Sequence, residues 1–168
     1  MNEIMTDFIA RACANPFFGL IHSTGKAGYE RMAAALEAEK PGYAALGMDV
    51  RAYIYNMPTV MAAADLVLCR AGASTLAELT AMGKPAVLVP SPNVTNNHQE
   101  KNARVLEAAG GARVLLESEF TADSLLGLVS ELLHHPEQLA EMSANMRALG
   151  VPDATERIAG TVLALARG

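Results

Sequence analysis

The densest chemistry in the sequence lies in CRAGASTLAEL, Cys69 to Leu79. An apolar run, Leu66 to Cys69, gives way to Ala71, Gly72, Ala73 and Ser74, and then to what reads as a helix. The first N–H groups of a helix have no partner inside it. With the helix dipole they make a site for an anion. Gly72 and Ala73 would let a phosphate approach the backbone, and Ser74 and Thr75 add hydroxyl donors. That is the chemistry of a diphosphate cradle, built without GxxxxGK[ST] or GxGxxG. Glu78 follows, and a carboxylate can accept from both hydroxyls of a ribose. A structural role stands beside this one. Thr75 and Glu78 hold the S/T-x-x-E relation of a capping box, which starts a helix and is worth ~1 kcal/mol. The two readings differ in whether Glu78 folds back on its own backbone or faces outward.

A second group opens another helix. His98, Gln99 and Asn102 follow the polar stretch SPNVTNN. Gln99 and Asn102 are three apart on one helix face, and their amides could read sugar hydroxyls. A solvated first turn is the alternative. His22 follows an apolar strand and precedes Gly25-Lys26, which suits a cleft histidine or a turn residue. The methionines fall at core spacing and read as packing. No Ser-His-Asp order, DxD, HExxH or carboxylate pair appears, so neither a metal nor a cofactor is expected.

These residues need elements to carry them. Apolar periodicity predicts helices over residues 3–13, from Tyr29, over 59–64, to about Met82, and over about 98–109. Strands are expected at Phe17 to Ile21, Asp49 to Ile54, DLVLC, PAVLVP and ARVLL. Three helices close the chain, the last opened by a capping box of Asp153 and Glu156. Strands and helices alternate, and the strands are short and apolar, as in burial on both faces. That pattern is α/β, a Rossmann-like, doubly wound parallel sheet. In such folds ligands sit outside the carboxyl ends of the strands, here near His22, Tyr53, Cys69 to Thr75 and Pro90 to Gln99.

Composition narrows the classes. The chain has 168 residues, 51% hydrophobic and 18% charged, the profile of one folded domain. Its net charge of −5 argues against nucleic acid as a partner. Cys13 and Cys69 lack CxxC partners and read as reduced, buried thiols. The N-terminus has no basic n-region, and no apolar stretch reaches ~18 residues, so a cytoplasmic chain is expected.

Four segments, ADLVLCRAGASTLAEL, GKPAVLVPSP, NNHQEKNARVLEAAGGA and PDATERIA, occur in an order and spacing that resemble one family. This is the MurG family of bacterial peptidoglycan glycosyltransferases, in its C-terminal domain. The resemblance implies the C-terminal half of a GT-B enzyme, a UDP-sugar donor-binding domain over residues 1–168. It implies that Ala73, Ser74 and Thr75, beside Gly72, contact the diphosphate and Glu78 the ribose. Tyr53 and Ile54 would sit by the uracil, Ile54 through its backbone. Gln99, with His98 and Asn102, would line the N-acetylglucosamine pocket, and His22 is a possible cleft residue. The implied reaction moves N-acetylglucosamine from UDP-N-acetylglucosamine to lipid I, giving lipid II at the cytoplasmic face of the membrane.

The family's preceding strand, its glycine-rich loop and its N-terminal acceptor domain are not in this sequence. The expectation is a donor domain truncated on that side, with no catalytic residue of its own and inactive alone. Lipid I and the membrane would be met only through the absent domain. The alternatives are a separately encoded donor-binding subunit joining a membrane-bound partner, and a sister enzyme using another UDP-sugar. A UDP-sugar epimerase shares the architecture, but its acid and base cannot be placed.

Overall fold

The computed structural model describes residues 1–167. Helices and strands alternate through most of the chain: α1 (Asn2–Ala12), β1 (Leu20–Ser23), α2 (Tyr29–Glu39), β2 (Met48–Arg51), α3 (Met57–Ala63), β3 (Val67–Cys69), α4 (Ala73–Met82), β4 (Ala86–Leu88), α5 (His98–Ala108) and β5 (Ala112–Val114). Then come α6 (Ala122–Leu133), α7 (Pro136–Leu149) and α8 (Ala154–Arg167). Short 3-10 turns lie at Tyr43–Leu46 and Thr95–Asn97. Every strand pairing is parallel. The pairings form two ladders, β1-β2 and β3-β4-β5, so the expected strands are present but split between two sheets. Among the described residues, no helix is long and apolar enough to cross a membrane.

The chain divides into two compact units. The first holds Met1–Val60 and Ser118–His134. Here α1 packs against α2 and α6, and the β1-β2 ladder joins them. Met5, Phe8, Ile9, Met32, Leu36, Met48, Leu125 and Leu132 are among its buried side chains, so Met5, Met32 and Met48 pack as expected, whereas Met57 is exposed. β1 begins later than expected. Phe17 and Phe18 do not enter the ladder. Instead they meet edge-to-face at 4.9 Å, with Phe18 6.0 Å from Phe8 and Phe17 4.8 Å from His134. Aromatic residues suit a strand by propensity, but here packing claims them. The ladder starts where the Leu20 amide reaches the Gly47 carbonyl, at 2.9 Å.

The second unit holds Met61–Glu117 and His135–Gly168, and its described part ends at residue 167. Its central strand β4 is buried at every residue, as a strand covered on both faces must be. Around it cluster Ala71, Leu76, Leu79, Ala103, Leu106, Ala112 and Met146. Lys84 of the GKP segment has a specific task. Its Nζ donates to the carbonyls of Ala62 and Ala64, at 2.7 and 2.8 Å, satisfying acceptors at the end of α3. Helix α7 then pins the far ends of α4 and α5. Ser143 Oγ donates to the Gly83 carbonyl at 2.7 Å, and Asn145 Nδ2 to the Gly110 carbonyl at 3.2 Å. Both glycines end their helices in the left-handed region, φ 64° and 74°. With their carboxyl ends held, the amino ends of α4 and α5 are set in position too.

The capping of the late helices differs from expectation. At α8 the Asp153 carboxylate accepts from Arg157 Nε at 2.9 Å. A reciprocal box instead opens α6. Thr121 Oγ1 accepts from the Ser124 amide, and Ser124 Oγ accepts from the Thr121 amide, at 3.1 and 3.0 Å. Serine replaces the usual Glu or Gln at the third position, so the sequence pattern did not reveal it.

Candidate functional site

The carboxyl ends of β3 and β4 are neighbours in one ladder, and each feeds a helix whose first turn carries candidate residues. After β3 the chain turns through Arg70, Ala71 and Gly72. Ala71 is fully buried, and Gly72 is the N-cap of α4 with extended backbone, φ −72° and ψ 142°. This φ is open to any residue. A Cβ built on Gly72 meets no atom within 4 Å, so open space lies beside the backbone there. No side chain caps α4. The first backbone bond of the helix runs from the Leu76 amide to the Gly72 carbonyl, at 3.0 Å. The amides of Ala73, Ser74 and Thr75 precede it and point out of the helix start.

This geometry excludes the capping-box reading of Thr75 and Glu78. Because Gly72 is the N-cap, Thr75 is the third helical residue and cannot be the cap of a box. Glu78 lies in the second turn rather than the first. Its carboxylate is exposed and makes no hydrogen bond or ion pair among the described residues. Four residues after Ser74 and three after Thr75, it shares their helix face. Small residues, uncapped amides and a free acceptor therefore stand together. At the end of β3 Cys69 is half-buried rather than buried as expected, and desolvation pushes its thiol pKa up to about 12, so it stays neutral.

The start of α5 is built differently. Asn96 and Asn97 both have positive φ, 56° and 51°. Asparagine tolerates that region best among residues with a side chain. Two in succession turn the chain sharply from the loop into the helix, and the Asn-Asn pair of SPNVTNN was the sequence signal for it. Asn97 Nδ2 bonds the Glu100 carboxylate at 2.6 Å. His98 Nδ1 faces the Thr95 carbonyl at 2.9 Å. A carbonyl only accepts, so Nδ1 carries the proton and Nε2 is left as the acceptor of the neutral ring. Gln99 Oε1 accepts from the Ser91 amide at 3.0 Å. Gln99 thus holds the loop after β4 with its oxygen, and its NH₂ has no partner among the described residues. Asn102 is half-buried on the same face, with no side-chain partner among the described residues.

The remaining candidates belong to the first unit. Ile54 is buried, whereas Tyr53 is 56% exposed and meets Tyr55 edge-on at 4.9 Å. They follow β2, which ends at Arg51 rather than at Ile54. His22 is neither in a turn nor at a loop tip. It lies inside β1, in register with Val50. Its Nε2 is buried without a hydrogen-bond partner, and burial lowers its pKa, so the ring is neutral. No group of three His, Cys, Asp or Glu among the described residues could hold a metal ion.

Comparison with known proteins converges on one group. A curated protein of Bacillus cereus is 43% identical over 144 residues, covering 86% of this chain and 39% of that protein. One of Acetivibrio thermocellus is 42% identical over 159 residues, covering 94% and 42%. Both are named UDP-N-acetylglucosamine–N-acetylmuramyl-(pentapeptide) pyrophosphoryl-undecaprenol N-acetylglucosamine transferase. The crystal structure of Acinetobacter baumannii MurG superimposes with a TM-score of 0.80 at 28% identity, covering 96% of this chain and 45% of that one. The glycosyltransferase VinC, solved with DTDP, shares the fold at TM-score 0.72 and 17% identity. The chain thus spans about two fifths of the length of the curated relatives it matches. The glycosyltransferase family 28 C-terminal domain matches residues 1–158, and this chain belongs to that family.

Proposed function

We propose that this chain is the donor-binding half of an inverting glycosyltransferase, one that moves N-acetylglucosamine from UDP-N-acetylglucosamine to lipid I. The observation that carries the reading is the uncapped start of α4, with open space at Gly72 and an unengaged carboxylate at Glu78. The names of the relatives support the choice of donor and acceptor.

The acceptor hydroxyl attacks the anomeric carbon of the donor. An oxygen–carbon bond forms, the carbon–phosphate-oxygen bond breaks, and UDP leaves with the electron pair. The hydroxyl's proton passes to a general base, which belongs to the rest of the enzyme and not to this chain. Charge develops on the leaving diphosphate. The amides of Ala73, Ser74 and Thr75, the two hydroxyls and the α4 dipole stabilise it, in the way preorganised donors serve a developing anion. Glu78 accepts from the ribose hydroxyls. The Gln99 NH₂, His98 Nε2 and the Asn102 amide read the sugar. The acceptor, and with it the cytoplasmic membrane surface, is reached through a second domain in the remaining length of the relatives.

Titration of the chain with UDP-N-acetylglucosamine and UDP by calorimetry, with saturation-transfer NMR on the donor, tests this. The expected result is saturable binding at or below millimolar donor, with transfer to the uracil, ribose and N-acetyl protons. Absence of binding at millimolar donor by both methods would refute a donor site in this chain. Unchanged affinity for the N-acetylglucosamine donor in Gln99→Ala would remove Gln99 from the sugar pocket.

A further inference from the structure

We infer that Arg70 and Glu117 form one positioning latch that holds the turn Ala71 to Thr75 in its ligand-binding shape. This rests on the donor-binding reading of that turn. Arg70 is the first residue after β3. Its Nη1 donates to the Val89 carbonyl at 3.1 Å and to Glu117 Oε2 at 2.6 Å. Val89 immediately follows β4, and Glu117 comes three residues after the end of β5 at Val114. One guanidinium therefore ties the carboxyl ends of all three strands of this ladder. Backbone bonds reinforce the same end. The Val89 amide donates to the Cys69 carbonyl at 2.9 Å, and the Leu115 amide to the Leu88 carbonyl at 3.0 Å.

The turn itself offers little other restraint. Gly72 has nothing within 4 Å of its Cβ position, and no side chain caps α4. What holds it is buried Ala71 on one side and the Arg70 latch just before it. Both bonds leave one nitrogen, Nη1, whose two N–H groups go to the carbonyl and the carboxylate. The two side chains are about one-third exposed, at 33% and 36%, so the pair adds little to global stability. Its effect is local. Glu117 also offsets the Arg70 charge and turns the guanidinium to the strand ends. Arg70 then serves the diphosphate through the backbone it fixes and is not itself a ligand.

The experiment uses the whole chain, UDP as probe, and three variants: Arg70→Met, Glu117→Gln and both together. If the latch acts as a unit, each single variant weakens UDP binding by about three- to tenfold, and the double variant is no worse than the weaker single. Without ligand, amide exchange of Leu76 and Val89, the two bonds beside the latch, speeds up in both single variants. The Leu79 amide and the melting temperature hold. Loss of UDP binding in Arg70→Met with unchanged or tighter binding in Glu117→Gln would overturn the inference, because Arg70 would then be touching phosphate directly. Unchanged Leu76 and Val89 exchange in both single variants would overturn it as well. The exchange measurement needs no ligand, so it judges the latch even where UDP fails to bind and the donor reading itself falls.

Discussion

Glu78→Ala separates a ligand role from a structural one, because the structure assigns the two roles different magnitudes. Glu78 is exposed, lies in the second turn of α4 and bonds to nothing among the described residues. Its removal therefore changes stability by less than about 0.5 kcal/mol. For a chain of this length that is a melting shift of under about 2 °C. A capping glutamate would behave otherwise, costing ~1 kcal/mol and about 2–4 °C. On binding, a hydrogen bond from a neutral hydroxyl to a carboxylate is worth about 1.5–3 kcal/mol. At 1.4 kcal/mol per decade, UDP affinity should fall about 10- to 150-fold. The assay is calorimetric titration of wild type and Glu78→Ala with UDP and with 2′-deoxy-UDP, alongside thermal melts. Wild type should prefer UDP, and the variant should lose most of that preference, because the group that reads the 2′-hydroxyl is gone. Equal discrimination by both proteins would refute the ribose assignment. A melting loss of several degrees with unchanged UDP affinity would return Glu78 to a structural role.

Three further outcomes follow from the packing and the buried histidine. Burial lowers the pKa of His22 below its ordinary value of about 6.5, so below that pH the unfolded chain binds a proton that the native ring refuses. Stability should fall as pH drops through this window, and His22→Phe should flatten the slope in melts run from pH 7 to 5. A Cβ at position 150 would lie 2.9 Å from the Thr80 carbonyl oxygen, so Gly150→Ala should cost about 1–3 kcal/mol in urea unfolding. Thr121→Ala removes one half of the box that opens α6 and should lower stability by ~1 kcal/mol, while the Ser124 amide loses its side-chain acceptor.

The order of elements was legible because burial imposes a period. The stripe of Leu125, Val129 and Leu132 could only be a helix with one covered face, and it became α6. PAVLVP, apolar at every position between prolines, became the fully buried β4. What failed were boundaries. Phe17 and Phe18 have strand propensity but pack as an aromatic cluster, and β2 stops at Arg51. The split into two ladders was also illegible, since strand pairing is a non-local choice.

At the candidate site the division is sharper. The sequence by itself named the residue types: a small turn, two hydroxyls, a carboxylate, and an amide pair opening the next helix. Those follow from chemical groups and spacing along one helix, which are local properties. It left open whether Thr75 capped α4, because a capping box and a free helix start share one pattern. Only the tertiary structure decided that. Ala71 is buried in the core cluster of that unit, Gly72 is the N-cap and Thr75 lies inside the helix. In the same way, only folding could reveal that Gln99 spends its oxygen on Ser91, or that Arg70 meets Glu117 across 47 residues of sequence. Such pairs carry no periodic trace in the chain. They exist because the ladder brings the ends of three separate strands to one edge.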